Sequence, residues 1–306
     1  MSWKQTVQKW MGRTRPTPVS SDNSTVRLPD SFSGPLPNAI WQRRYRVVKP
    51  LGSGGMGKAM LAERFSDSAR VCLKFLNPDT ERRLAEQECR ALMRLRHPSI
   101  VSLLDFSLED QPPWLATEYV AGASLHAHLK KHGPLPVQKA TAVLTPLLQA
   151  LEYAHSQEVI HRDLKPANLM IEGGENRVQV RVLDFGIAII DRFDHQGNVT
   201  AANAPLIGTL VYMAPEQFRG EILTTACDIY STGLMAWEML MGRPPFESRT
   251  VAQLLYEKTT QVEGLTLDAG AVAPASLRSF VEACTRGDPG GRPTAPQAIE
   301  LLHTPI

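Results

Sequence analysis

One short segment brings an acid, a base and an amide together between apolar residues. The sequence VIHRDLKPANLM (159–170) places Asp163, Lys165 and Asn168 within six positions, with apolar pairs at both ends. A solvated loop does not need apolar flanks and a buried strand does not accept charges, so we expect these polar residues to be held rigidly at the edge of a site. Carboxylate, ammonium and amide groups can share proton transfer, charge neutralisation and cation binding.

A glycine-rich stretch lies earlier in the chain, between two strand-like runs. LGSGGMGKA (51–59) contains Gly52, Gly54 and Gly57 in the spacing G-x-G-x-x-G. A dinucleotide-binding turn of this type is followed at once by a helix, whereas here the strand-like run KAMLAERF (58–65) follows. Glycines with this spacing also form ordinary turns. The context favours a hairpin lid whose backbone approaches phosphate groups.

Lys74 places a charge in the otherwise apolar run VCLKFL (71–76). A lysine in such a strand is usually exposed on the polar face, and the alternative is phosphate binding with a helix carboxylate to balance the charge. Glu88 fits that role because it lies one turn before Leu92 on the apolar stripe of the next helix. Glu86 is the second candidate, since it is nearer the helix start but out of phase with the stripe.

These residues together predict a phosphoryl-transfer site, in which a protein mainly positions reactants and neutralises charge. Asp163 would accept the proton of the attacking hydroxyl, and Lys165 would offset charge on the moving phosphoryl group. Asn168 would bind Mg²⁺, and Asp184, which ends an apolar strand in VRVLDFGIA (180–188), would bind the metal from the opposite side. Each residue alone also suits a turn, a loop or a cap, but all of them in this order argue against that interpretation.

The pattern of the chain predicts an α+β fold with two lobes. Strand-like runs come first and helical periodicity dominates after Gly122. We expect a small antiparallel β-rich N-lobe with one helix (44–118), a hinge (118–122) and a larger, mainly helical C-lobe (123–304). The predicted strands are 45–51, 58–65, 70–76, 100–108 and 113–120, and the predicted helices include 80–96, 137–156 and 226–242.

Composition excludes several classes of protein. The 306 residues are 43% apolar, which is enough to fill a core. The net charge of +2 gives no basic field of the kind that nucleic-acid binders show. The four cysteines are widely scattered, which suggests neither a disulfide framework nor a zinc site and favours a reducing, cytoplasmic location. No run reaches the roughly 18 apolar residues of a membrane span.

The N-terminal arm is basic, with nine Lys/Arg against two acids in residues 1–50. Residues 1–12 place Trp3, Val7 and Trp10 on one helical stripe, and residues 13–40 form a Pro/Ser/Thr-rich linker. A disordered tail is one interpretation, because so short a helix is unstable alone in water. The other is a helix that docks on a partner groove or a membrane surface.

Over residues 44–304 the sequence resembles the protein-kinase family, in particular the bacterial eukaryotic-like (Hanks-type) serine/threonine branch. The resemblance implies ATP as phosphoryl donor, Mg²⁺ or alternatively Mn²⁺ as cation, and Ser/Thr hydroxyls of proteins as acceptors. The motifs that carry it are the glycine loop, Lys74, Glu88, HRD (161–163) with Lys165 and Asn168, DFG (184–186), GTLVYMAPE (208–216), Asp228 and Arg292.

The resemblance also implies roles for individual residues. Lys74 would pair with Glu88 and hold the α/β-phosphates. Glu216 would pair with Arg292, and Asp228 would anchor the catalytic loop. Four residues would stack as a spine that reports the active state: Leu92, Leu103, His161 and Phe185. Residues around the nucleotide would be Leu51, Gly52, Gly54, Gly57, Ala59, Cys72, Lys74, Thr117, Glu118, Val120 and Met170.

Regulation is implied by three further residues. Thr209 would contact Asp163 and Lys165, which favours a hydroxyl-bearing aliphatic acceptor. Arg162, before the catalytic acid, marks kinases whose activation loop is ordered by a phosphate, although it can also simply support the loop by hydrogen bonds. Thr200 is the only hydroxyl-bearing residue between Ile187 and Gly208, so it is the predicted autophosphorylation site.

Two alternatives and two departures from the family pattern accompany this interpretation. A pseudokinase scaffold would be expected to have lost at least one of the catalytic residues, and a small-molecule phosphotransferase would usually lack the segment from DFG to APE.

Ala59 and Cys72 replace the usual valine and alanine above the adenine, which should alter ATP affinity without abolishing activity. A homodimer is left open.

Overall fold

The chain forms two compact units. A computed structural model describes residues 35–54, 57–77, 82–173, 178–185, 210–247, 250–268 and 273–304. One unit is Met1–Met93 with Ser102–Tyr119, and the other is Arg94–Val101 with Val120–Ile306. The last boundary, between Tyr119 and Val120, falls inside the predicted hinge. A β-rich unit comes before a helical one, as predicted.

The segment Arg94–Val101 lies within the range predicted as N-lobe but belongs to the second unit. The backbone N–H of Arg96 donates to the Tyr153 hydroxyl at 3.0 Å. The N–H of Val101 donates to the carbonyl of Val182 at 3.0 Å. These partners come much later in the chain, so the local pattern of residues 94–101 could not reveal them.

The first unit is built on an antiparallel sheet in the order β1-β2-β3-β4-β6-β5. The elements are β1 (Ile40–Trp41), β2 (Tyr45–Gly54), β3 (Gly57–Arg64), β4 (Arg70–Leu76), α1 (Arg82–Arg94), β5 (Leu103–Ser107) and β6 (Trp114–Glu118). The predicted run 45–51 lies within β2, 70–76 coincides with β4, and 58–65 is shifted by one residue from β3, whereas β5 and β6 are shorter than the predicted runs 100–108 and 113–120. Helix α1 lies within the predicted helical segment 80–96.

The core of the first unit follows from strand alternation. In β4, Val71, Leu73 and Phe75 are fully buried, because residues two apart point to the same face of a strand. Trp41 packs edge-on against Phe75, with ring centroids 4.8 Å apart. β1 therefore belongs to the sheet, although Ile40 is the last residue of the predicted linker.

The second unit is mainly helical and contains a small sheet in the order β7-β8-β9. Helix α5 (Ala226–Met241) is buried along nearly its whole length and packs against α3 (Val137–Ser156) and α7 (Ala275–Cys284). The elements are β7 (Ala123–Ser124), α2 (Leu125–His132), α3 (Val137–Ser156), β8 (Leu169–Glu172), β9 (Gln179–Val182), α4 (Pro215–Phe218), α5 (Ala226–Met241), α6 (Val251–Thr260), α7 (Ala275–Cys284) and α8 (Ala295–His303).

None of the helices in these described ranges is both long enough and apolar enough to cross a bilayer.

The glycine-rich stretch forms the predicted antiparallel hairpin, in which Gly54 pairs with Gly57. Gly57 has φ +141°, and a Cβ there would lie 1.9 Å from the carbonyl oxygen of Phe75. Only glycine satisfies both the backbone angle and this close approach to β4. At Gly52, by contrast, a Cβ would meet no atom within 4 Å among the described residues beyond its chain neighbours, so that part of the protein does not require glycine there.

We expect Gly57→Ala to lower the free energy of unfolding by roughly 1–3 kcal/mol, because of backbone strain and the clash. Gly52→Ala should leave it unchanged or raise it by up to ~1 kcal/mol, since alanine restricts the unfolded chain. Urea denaturation of the two variants beside the parent checks this difference, and equal stability of the two variants would contradict it.

Candidate active site

The acid, base and amide of the 159–170 segment lie in direct contact. Lys165 Nζ donates to Asp163 Oδ2 at 2.7 Å. Asn168 Nδ2 donates to the Asp163 carbonyl oxygen at 2.9 Å and lies 3.3 Å from Oδ2. Asp163 and Asn168 are buried, and a short 3₁₀ turn, Pro166–Asn168, sets their spacing. The carboxylate is therefore held by its own loop with a cation beside it.

Asp228 anchors this loop from the buried helix α5, as the resemblance implied. Its carboxylate accepts the backbone N–H groups of His161 at 2.9 Å and Arg162 at 2.8 Å, and His155 Nε2 lies 2.9 Å away. Burial opposes ionisation of Asp228, but the His155 hydrogen bond and charge hold its pKa below the ordinary value. Arg162 has φ +68°, a conformation that non-glycine residues adopt only when their surroundings enforce it.

His161 joins the loop to the end of β9. Its Nε2 donates to the Leu183 carbonyl at 2.8 Å, and its Nδ1 accepts the Asp163 N–H at 3.2 Å. These two partners fix the neutral tautomer with the proton on Nε2. The ring also packs on Phe185, with centroids 4.6 Å apart, which brings together the two expected spine residues of the second unit.

At the end of β9, the residue before Asp184 is hydrogen-bonded through its backbone to Asn168. The Leu183 N–H donates to the Asn168 carbonyl at 2.9 Å, and Asp184 has φ +56°, which turns the chain sharply after β9. The two predicted metal ligands are thus placed by adjoining backbone segments.

Lys74 and Glu88 meet within the first unit. Lys74 Nζ lies 2.9 Å from Glu88 Oε1, and the side-chain exposures are 16% and 2%. Glu86, the second candidate, lies 3.7 Å from Arg90 on the same helix. The geometry therefore selects Glu88 as the carboxylate next to Lys74.

The residues expected around the adenine are distributed over both units. Ala59 pairs with Lys74, and Cys72 pairs with Thr117 in adjacent strands. Leu51 is exposed on β2, and the Glu118 N–H donates to the Ser102 carbonyl at 3.1 Å. Val120 and Met170 belong to the second unit, where Met170 pairs with Arg181 in β8–β9.

The family model of the protein kinase domain matches residues 45–303. The chain belongs to the protein kinase family. Its bacterial relatives include the serine/threonine-protein kinase pkn3 of Myxococcus xanthus, which is 37% identical over 268 residues (84% of this chain, 49% of the relative). PknB of Mycobacterium tuberculosis (strain ATCC 25618 / H37Rv) is 34% identical over 253 residues (76% and 39%). PrkC of Bacillus subtilis (strain 168) is 30% identical over 251 residues (80% and 38%).

The chain spans about half or less of the length of these curated relatives. The matches confirm the family resemblance and the two-lobed fold inferred from the sequence.

Several structural contacts of the kinase were not foreseen. The Gln217 side chain donates to the Arg162 carbonyl and accepts the Ala214 N–H. Lys258 Nζ donates to the Met213 carbonyl, and the Tyr212 hydroxyl donates to the buried Glu238. Tyr212, Met213 and Ala214 lie in the segment GTLVYMAPE and Gln217 directly follows it, but no sequence signal pointed to Lys258 or Glu238. The expected Glu216–Arg292 pair is present and buried, with nitrogen–oxygen distances of 2.6 and 2.9 Å.

Some predicted features lie outside the described residues. Thr200, Thr209, the 1–12 helix and the linker before residue 35 are among them. Their roles, the homodimer and the cytoplasmic location stay predictions.

We expect Asp228→Asn to destabilise the kinase at pH 7 by about 1–3 kcal/mol, because the amide cannot accept all three donors. The folded pKa of Asp228 lies below the ordinary 3.8, so the folded state favours the ionised form. This stabilisation is present above about pH 4 and is lost as pH falls through the folded pKa. The difference in melting temperature between the variant and the parent should therefore become smaller towards pH 3.

Asp268→Asn is the control, because Asp268 lies on the surface beside Arg243, and exposed ion pairs contribute little. If the difference in melting temperature between Asp228→Asn and the parent stays constant with pH, the anchoring role of the ionised carboxylate is contradicted.

Proposed function

We propose that the chain is a serine/threonine protein kinase that transfers the γ-phosphoryl group of ATP to hydroxyl groups of proteins. The observation that carries this is the Asp163 carboxylate, held by Lys165 at 2.7 Å and Asn168 at 3.3 Å on a loop fixed by the buried Asp228. Membership of the protein kinase family supports it, as do relatives named serine/threonine-protein kinases.

Asp163 accepts the proton of the acceptor hydroxyl as its oxygen attacks the γ-phosphorus. The new oxygen–phosphorus bond forms while the bond to the β,γ-bridging oxygen breaks and ADP leaves. Lys165, already beside that carboxylate, places a positive charge where the phosphoryl oxygens gain charge. Little side-chain rearrangement is required, because the three polar groups are fixed before the substrate binds.

Asn168 and Asp184 are the candidate ligands for Mg²⁺, with Mn²⁺ as an alternative cation. Both offer hard oxygen atoms, and the Asn168 amide nitrogen already donates to Asp163, which directs the amide oxygen to a ligand role. Among the described residues no cluster of three or more His, Cys, Asp or Glu could hold a metal, so nucleotide phosphates would complete the shell. The bound cation neutralises phosphate charge.

In the first unit, we assign phosphate binding to Lys74, with Glu88 orienting its ammonium group. Glu88 is buried beside that lysine, and a buried carboxylate requires such a partner. The glycine hairpin offers backbone N–H groups to phosphate. The described residues leave open space at Gly52, which is consistent with that role.

Asp163→Asn tests the proposed activity. Removing the proton acceptor while keeping the side-chain shape should lower the turnover of labelled γ-phosphate transfer to a basic protein roughly 10²–10⁴-fold. Asp268→Asn should transfer at the parental rate. Equal transfer by the parent and Asp163→Asn would contradict the proposal, and an inactive parent that still binds ATP would favour a scaffold.

We further propose that Thr200 is autophosphorylated and that Arg162 binds the resulting phosphate. Arg162 Nε is buried and has no hydrogen-bond partner within the described part of the chain, and guanidinium groups bind phosphate well. Mass spectra of the parent chain should place phosphate on Thr200, and Thr200→Ala should reduce transfer activity. An active parent whose 187–208 peptide carries no phosphate, or undiminished transfer by Thr200→Ala, would contradict the assignment, and phosphate on Thr209 would move the site there.

A further inference from the structure

Lys258 on helix α6 is a lysine with no solvent exposure. Its Nζ donates to the Met213 carbonyl at 2.7 Å. Burial, followed by the positive charge of Arg292, holds the pKa of Lys258 well below its ordinary value, and Glu216 acts in the opposite direction. Such burial is costly for an ammonium group, so the position requires a specific reason for lysine.

Two aromatic rings enclose the amine. Nζ lies 4.8 Å from the centroid of Tyr230 and 4.5 Å from that of Phe246. Aromatic faces offset part of the desolvation of a cation, but an unbranched apolar side chain of similar length would fill the same space without that cost. Packing alone therefore does not account for a lysine, and the hydrogen bond to Met213 remains as its distinguishing contact.

That hydrogen bond lies at one end of a buried connection to the catalytic loop. The N–H of Ala214, next in the chain after Met213, donates to Gln217 Oε1 at 2.9 Å. Gln217 Nε2 in turn donates to the Arg162 carbonyl at 2.9 Å. Arg162 directly precedes Asp163. A series of hydrogen bonds and short backbone segments therefore connects α6 to the loop that carries the catalytic carboxylate.

The neighbouring carbonyl is held in the same way from a different helix. Ser231 Oγ on α5 donates to the Tyr212 carbonyl at 2.7 Å, and the Tyr212 hydroxyl donates to Glu238, also on α5. Two consecutive carbonyls, at Tyr212 and Met213, are therefore fixed by buried side chains of α5 and α6. The segment 210–214 is constrained more strongly than its own local turns require.

We propose that Lys258 is a positioning residue for the protein acceptor. Through Met213, Ala214 and Gln217 it sets segment 210–214 against the loop that carries Asp163. This rests on the proposed kinase function. We expect the larger effect on the acceptor, because the connection ends at the loop that carries the proton-accepting Asp163, while two of the proposed nucleotide-binding features, Lys74 and the glycine hairpin, belong to the other unit.

Lys258→Met tests the proposal, because it keeps the length of the side chain and removes the donor. We expect an unchanged or higher melting temperature, since the buried amine is lost. The KM for a protein acceptor should rise or the turnover should fall. Either change should lower kcat/KM for the acceptor by roughly tenfold, as for loss of one buried hydrogen bond. The KM for ATP should change by less than about twofold.

Amide hydrogen exchange over residues 210–217 gives a second measurement that does not need catalysis. In Lys258→Met these amides should exchange about tenfold faster, as expected when a local hydrogen bond that restrains opening is removed. Lys130→Met is the matched control, because it makes the same change at an exposed lysine on α2. It should alter neither exchange nor kinetics.

The outcomes distinguish a failure of the positioning role of Lys258 from a failure of the proposed kinase function. Unchanged exchange in segment 210–217 overturns the role of Lys258, whatever the activity. A lower melting temperature with a uniform loss of all kinetic parameters also overturns it, since that indicates a merely structural lysine. An unaltered acceptor kcat/KM in an active enzyme overturns it too. If the parent chain transfers no phosphate, the kinase function fails, and the exchange measurement still decides whether Lys258 orders the segment.

Discussion

The arrangement of the candidate site depends on one buried carboxylate, that of Asp228. It accepts the N–H groups of two successive residues, His161 and Arg162, and so fixes the peptide that leads into Asp163. Backbone N–H groups buried without acceptors are costly, and the left-handed conformation of Arg162 is costly as well. One ionised group on a helix buried along nearly its whole length offsets both. The catalytic loop is therefore an extension of the core of the second unit and not an independent surface loop.

Much of this arrangement follows from the sequence because its determinants are local. Strand alternation identifies β4, and helical periodicity identifies α3 over its full length. The contact between Lys165 and Asp163 spans two residues, and close spacing makes it foreseeable. Where the determinants are distant, local pattern fails. The segment 94–101 has partners on α3 and β9, and nothing in its own composition indicates them.

Buried polar contacts made by single side chains were the least predictable. Lys258 lies in a helix of ordinary amphipathic composition, and a lysine in such a helix is expected at the surface. Its burial depends on Tyr230 and Phe246, which come from other elements, and its partner is a backbone carbonyl with no sequence signature. Gln217 is similar, because its amide joins two segments that only the folded chain brings together. The family resemblance supplies the expectation for Asp228 and Glu216 but not for these two residues.

The connectivity of the units constrains how the nascent chain folds. The chain leaves the first unit after Met93, returns at Ser102 and leaves again after Tyr119. Residues 94–101 therefore emerge from the ribosome well before Tyr153 and Val182, the partners that hold them. Since domains tend to fold as units during synthesis, the stretch that links α1 to β5 cannot complete its native contacts until β9 has been made. Neither unit corresponds to a single continuous length of sequence, and a fragment cut at the hinge would separate residues 94–101 from Tyr153 and Val182.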